Sequence, residues 1–403
     1  MSALSKKIVI VLSVVVFGYV TTGYVLGRSS DDKAFHALTV YSEVLQRVQT
    51  DYVDEPNLHT VTSGALHGLL DSLDPQSGYL SPLEYTDYKE KTATTPVGGS
   101  GIALTKRFGY NMGVISVLPD SPGAKLGLHL GDTFEQIAGF TTSQMAVEQA
   151  QVLLSGNPGT VVKLSVIRRG KTEPQDMEIT LAKLPSAKLV EDKLAGDIAY
   201  LRVPEFSDGV TKLIRDKLAE FKSQGSHKLI LDLRDCALGD EQEGISTAQL
   251  FLSSGTITTL KGQTIAPVVS SADPSKIAWT QPMTVLIGNG TAGAAEIVAS
   301  AISGNHRGDA VGDRTFGTAS KQKLIQIDDG SALILTVANY YTPDAKEIPA
   351  DGVAPTLEVR PLAEDVAAMN DMYPAAPSSS LDDPVIKKAI DLLETGGAMR
   401  KAA

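Results

Sequence analysis

The chain has 403 residues, 42% of them hydrophobic and 21% charged, with a formal net charge of −11. That length exceeds one compact core and predicts two or three domains. An acidic balance without any Lys/Arg block excludes nucleic acid as a partner, because phosphate binding needs a concentrated basic surface. A single cysteine, Cys236, excludes an intramolecular disulfide, and six histidines without an H-x-x-x-H pair point away from zinc, so neither metal nor cofactor is expected.

The first predicted element is "SKKIVIVLSVVVFGYVTTGYVLGRSSDD", where Lys6 and Lys7 precede the uncharged run from Ile8 to Gly27. That run matches the roughly 20 residues that cross a bilayer. It is longer than the roughly 7 to 15 residues of a signal-peptide core and lacks an A-x-A site, which favours an uncleaved anchor over residues 1–30. Lys6 and Lys7 predict a cytoplasmic N-terminus. The expected location is therefore the inner (cytoplasmic) membrane, single-pass, with everything after Arg28 in the periplasm or another extracytoplasmic space.

Residues 31–93 read as a helical lead-in. Ala37, Val40, Tyr41, Val44, Leu45 and Val48, then Val61, Ala65, Leu66, Leu69 and Leu70, recur at helical spacing until Pro75, Gly78 and Pro82 enforce a turn in "LDPQSGYLSPLEY". Over 94–185 the pattern changes to short strands with glycine corners, interrupted by a helix expected at 143–154. The stretch "SPGAKLGLHLGD" followed by "MAVEQAQVLLSGNPGTVVKLSVIRRG" resembles a PDZ domain. Over 186–362 strands alternate with helices, among them "DIAYLRVPEF", a helix at 208–223, "KLILDLR", a helix near 241–253, "MTVLIG" and a helix at 293–303. Such alternation predicts an α/β layer with a largely buried sheet. The "DDG" at 328–330 turns a hairpin between "KLIQI" and "ALILTVANYY". Residues 363–403 supply a linker, "PAAPSSS" at 374–380, and a terminal helix capped by Asp383 with Pro384 at its first position. The fold class expected is thus α/β and β modules: transmembrane helix, helical lead-in, PDZ domain and α/β core.

In this order, "SLDPQSGYLSPLEY", the PDZ stretch, "LILDLRD", "AEIVASAI", "VGDRTFG" and "YYTPDAKEIPADGVAP" resemble the carboxyl-terminal processing, or tail-specific, family of serine peptidases over roughly residues 35–395. The resemblance implies a serine nucleophile activated by a lysine base, with main-chain N–H groups stabilising an oxyanion. Such a lysine needs burial to lower its pKa.

The matching words lack those groups. The family's G-S-A-S-A-S-E corresponds to "GTAGAAE", 290–296, which puts Gly293 at the nucleophile place. F-G-K-G corresponds to "FGTAS", 316–320, which puts Thr318 at the base place, and the spacing from 293 to 318 agrees with the family's. L-R-N-N-P-G-G corresponds to "LRDCALG", with Leu238 at an oxyanion-hole glycine. Gln322, which matches a glutamine supporting the family's lysine, is retained and reads as structural here. Glu296 reads as a first-turn carboxylate, His306 as a polar loop residue, and Cys236 as a buried inert thiol.

The alternative is an active serine- or threonine-type endopeptidase with displaced residues. It would need Thr291 and a desolvated Lys321 to meet within about 3 Å. For the PDZ module the expectation is capture of a terminal carboxylate by backbone N–H groups of Gly98, Gly99, Ser100, Gly101 and Ile102, with Val147, Ala150 and Gln151 lining the groove. The partners expected are C-terminal tails of exported or membrane proteins, the membrane through Ile8 to Gly27, and an active homologous protease.

Overall fold

In the computed structural model the described residues are 35–93, 97–106, 111–184, 188–194, 197–359 and 382–399. The expected anchor, Ile8 to Gly27, and the expected linker, 374–380, lie outside them. Among the described residues no helix is long and apolar enough to cross a membrane. The chain divides into two units, Met1–Leu66 and His67–Ala403.

In the first unit, helix α1 spans 35–51 and α2, Leu58–Asp71, begins and runs on into the second. The two runs of helical spacing belong to two helices, which are separated at 52–57. Pro56 disfavours a helical Glu55, and the Asn57 side chain accepts from the N–H groups of His59 and Thr60 at 3.1 and 3.2 Å, starting α2 afresh.

The second unit continues with β1, Gly78–Leu80, and α3, Pro82–Thr92. A capping box starts α3: Ser81 Oγ accepts from Glu84 N–H while the Glu84 carboxylate accepts from Ser81 N–H at 2.8 Å.

A β-rich module follows. Its strands are β2 (Gly98–Gly99), β3 (Ile102–Lys106), β4 (Met112–Val117), β5 (Thr133–Ile137), β6 (Phe140–Thr141), β7 (Ser155–Gly156), β8 (Val161–Ile167) and β9 (Pro174–Thr180); its helices are α4 (Pro122–Lys125) and α5 (Val147–Leu153). The antiparallel order is β3-β4-β5-β8-β9, with β6 on β5 and β2 paired to β7. Helix α5 closes a core containing Ile102, Leu104, Phe134, Ile137, Val147, Ala150 and Leu164. It starts four residues later than its periodicity predicts. Thr142 spends its side chain tying strands together, donating to the Phe134 carbonyl and accepting from Met112 N–H, and so forms a short 3-10 turn instead.

The α/β core comprises β10 (Val190–Lys193), β11 (Ile198–Arg202), α6 (Val210–Ser223), β12 (Lys228–Asp232), α7 (Glu241–Ala248), β13 (Thr256–Lys261), β14 (Val268–Ser271), β15 (Met283–Ile287), α8 (Ala294–Gly304), β16 (Asp309–Gly312), β17 (Ser320–Gln326), β18 (Ala332–Tyr341), α9 (Ile348–Asp351), β19 (Leu357–Glu358) and α10 (Pro384–Met399). Its main sheet runs β10-β11-β12-β15-β16-β19, parallel except for β10. Successive strand side chains point to opposite faces. Ala199, Leu201, Leu229, Leu231, Val285 and Ala310 join α6, α7 and α8 on one side. Tyr200, Ile230, Leu286 and Val311 meet Val385, Ile386 and Ala389 of α10 on the other. Helix α7 ends at Ala248, short of the expected 253, because the backbone of Leu250 is taken by Ala278 and Trp279, whose N–H groups donate to its carbonyl at 2.7 and 3.0 Å. A second sheet, β1-β18-β13-β14 with β17 on β18, contains the expected hairpin.

The β-rich module seats directly on the core. Ala103 and Ile115 pack with Ala292, flanked by Ala237, Leu238 and Phe316, and Ser116 Oγ donates to the Asp235 carbonyl.

Candidate functional site

Parallel strands deliver their following loops to one edge of the sheet, the usual place for chemistry in such folds. Here the loop after β15 turns through Gly288 to Ala292 into α8. Gly290 is obligatory in this turn, since a Cβ would lie 2.8 Å from Asp235 Cα and 2.5 Å from its Oδ1. At the corner stands Gly293, with φ 57° and ψ −119°. Only glycine adopts that region without strain. A Cβ there would nevertheless point into open space, with nothing within 4 Å. The corner retains the shape and the room to present a side chain, and presents none.

Thr318 stands beside it: Gly293 N–H donates to Thr318 Oγ1 at 3.2 Å. The structure therefore brings together the two places that the sequence pairs. A threonine hydroxyl there has no basicity with which to accept a proton at neutral pH.

Beneath both lies Glu296, fully buried. One carboxylate oxygen accepts from Thr315 Oγ1 at 2.5 Å and Gly317 N–H at 2.6 Å; the other accepts from Gly293 N–H at 3.0 Å and Thr318 N–H at 2.8 Å. Burial pushes this carboxyl above its usual range, opposed by those four bonds. With its lone pairs filled it serves as a clamp between the α8 corner and the 315–318 loop. Its first-turn position was legible in the sequence, but three of its four donors arrive from outside the helix and were not.

The displaced residues of the alternative mechanism are placed otherwise. Thr291 is fully buried, its hydroxyl donating to the Leu233 carbonyl at 2.8 Å and accepting from Gly288 N–H at 3.1 Å. Lys321 is exposed on β17. Gln322 Nε2 donates to Ser320 Oγ at 2.8 Å and Thr336 Oγ1 at 3.4 Å, and Thr336 in turn bonds Asp74 and Ser77 of the "LDPQSGY" word. Through Thr336 it ties β17 and β18 to the turn that leads into β1.

Leu238 keeps an ordinary backbone. The left-handed residue is its neighbour Gly239, φ 126°, where a Cβ would meet the Phe206 backbone at 2.4 Å. Cys236 is buried, its carbonyl accepts from Ala292 N–H at 3.0 Å, and burial raises its thiol pKa far above the usual range, which makes it inert. His306 is exposed past the C-terminal end of α8, opposite to the corner.

A network the sequence reading missed fixes this edge of the sheet. Arg234 bonds Asp232 through Nε and Nη2 and reaches Asp383 at 2.6 Å, while Tyr200 donates to Asp232 at 2.7 Å. The adjacency of Asp232 and Arg234 was visible; their meeting with Asp383, about 150 positions on, had no local signal.

In the β-rich module Gly98, Gly99, Ser100, Gly101 and Ile102 run from β2 into β3 as a buried segment bonded to Gln151 of α5 and to Leu154 after it. Gly99 N–H donates to Ala182 O at 2.9 Å, Ser100 N–H to Leu154 O at 2.9 Å, and Ile102 N–H to Ser100 Oγ at 3.3 Å. Val147 and Ala150 belong to the module's core, and Gln151 reaches across to β3.

The family model for Peptidase family S41 matches residues 197–359. The chain is 31% identical to a carboxy-terminal-processing protease of Bartonella bacilliformis, over 83% of this chain and 78% of that protein. It is 28% identical to the carboxy-terminal processing protease CtpA of Bacillus subtilis, over 83% and 71% of the two chains. Among solved structures it resembles a photosystem II D1 C-terminal processing protease with TM-score 0.64 and 24% identity, covering 83% of this chain and 96% of the other, a likeness of fold.

Proposed function

We propose, for a chain that belongs to the carboxyl-terminal processing peptidase family S41, a role in holding chain ends rather than cutting them. One observation carries this reading: the corner that should present a nucleophile is Gly293, and the group beside it is Thr318. Acyl transfer needs both an attacking atom and a group to accept its proton. Removing either member of such a pair abolishes most catalysis, because the two act as a unit.

In this reading residues 94–185 are a PDZ-type module that takes C-terminal tails of exported or membrane proteins. Ile8 to Gly27 holds the chain in the inner membrane with its domains outside the cytoplasm, where an active relative is a further partner. A whole scaffold without the family's reactive groups fits a binding protein derived from a peptidase. The alternative, cleavage by Thr291 with Lys321, asks a buried, doubly hydrogen-bonded hydroxyl to leave its partners.

Mass spectrometry of unstructured proteins with apolar tails, incubated with the full chain, tests the reading. Intact tails are expected, together with binding that requires a free terminal carboxylate. Cleavage lost on Thr291→Ala would overturn it.

A further inference from the structure

The loop and groove assigned above to tails are already bonded, and the bonds come from the chain itself. Among the described residues strand β3 is an edge strand, paired with β4, and its other edge faces α5. A chain end entering this groove as an added strand must bond the main-chain groups of that edge, and its carboxylate must find free N–H donors at the loop. At the loop end of the groove, Gln151 Nε2 donates to the Ile102 carbonyl at 3.2 Å. The Ile102 N–H is taken by Ser100 Oγ, and the Ser100 N–H by the Leu154 carbonyl. At the far end Lys106, its side chain 2% exposed and ion-paired with Asp71, donates to the Met145 carbonyl at 3.5 Å. The groove is bridged at both ends by side chains that reach main-chain carbonyls.

We infer that Gln151 is a built-in competitor for tails, supplying to the Ile102 carbonyl the N–H that a bound chain end would supply. This rests on the reading of the module as a tail binder. The chemistry is an exchange of one neutral N–H···O bond for another, with no net gain until the ligand's carboxylate also finds its donors. An internal amide loses such an exchange only to a ligand that adds a charge-assisted bond. The groove is thereby biased against internal segments of a polypeptide, which have an N–H to offer but no terminal carboxylate. Gln151 acts as a positioning and selectivity residue on the face of α5, and Ser100 Oγ is its counterpart on the loop.

Two measurements on the full chain decide the matter. The first is fluorescence titration with a labelled decapeptide ending in valine with a free carboxylate, and with its amidated form. Gln151→Met keeps side-chain length and removes the donor. It should tighten the acid peptide about fivefold, as loss of one competing hydrogen bond does, and admit the amidated peptide that the unaltered chain refuses. Where the unaltered chain binds peptide, equal or weaker binding by Gln151→Met overturns the inference. The second is amide hydrogen exchange without peptide, where Gln151→Met should exchange faster than the unaltered chain across 98–106 and 147–154. Unchanged exchange overturns the latch. Faster exchange with no peptide bound by either form upholds the latch and removes tail binding instead.

Discussion

Gly293 is strained for any other residue, yet spacious. At φ 57° and ψ −119° a β-carbon costs about 1–2 kcal/mol in backbone energy while meeting no neighbour. Gly293→Ala should therefore lower unfolding stability by that amount in a denaturant titration and leave peptide binding unchanged. Gly290→Ala, whose β-carbon collides with the Asp235 backbone, should cost more, about 3 kcal/mol.

Glu84 governs acid behaviour at the same scale. Burial raises its pKa, but hydrogen bonds from His67 and Ser81 outweigh that and hold it down to about 2 from 4.5. A depressed carboxylate stabilises the fold above its unfolded pKa and ceases to do so as pH falls through its folded one. Stability should decline between pH 4.5 and about 2, by roughly 3 kcal/mol from this group. Glu84→Gln should flatten that part of the pH profile in thermal unfolding.

Single elements show where sequence reading works and where it stops. Strands β11, β12 and β15 were legible because alternating side chains serve two apolar faces. Helix α6 was legible because Val210, Ile214, Leu218 and Phe221 repeat on one side. The pairing of Gly293 with Thr318 also followed from motif spacing. Helix α5 was placed too early because the side chain of Thr142 is committed to Phe134 and Met112, which its own sequence neighbourhood does not announce. The Glu296 clamp was half visible, since a carboxylate at N3 is a local signal and the donors at 315, 317 and 318 are not. Helix α10 depends on such a distant contact: Arg234 bonds Asp383, which caps the helix through Val385 N–H at 2.8 Å. Arg234→Ala leaves Asp232 buried without its cation and should cost about 3–5 kcal/mol. Limited proteolysis should then release the C-terminal segment before the rest of the domain is cut.

For the molecule as a whole, the join between the β-rich module and the core matters as much as either part. Ala103 and Ile115 lie against Ala292, immediately before the corner glycine, so the β-rich module also roofs the α8 corner. Ile115→Asp should break that contact by burying a charge in an apolar patch, expose residues 288–293 to hydrogen exchange, and leave the α/β core folded.

The two-faced sheet has a further consequence, in the timing of synthesis. Tyr200, Ile230, Leu286 and Val311 are covered by residues 385–393, which are made well after the strands they cover. Until those residues emerge, these four apolar side chains lack the cover that residues 385–393 give them. This side of the sheet completes its packing only after residue 393 has been made. A chain shortened before Pro384 would stay in that unfinished state, dependent on chaperones and prone to aggregate, however intact its upstream elements.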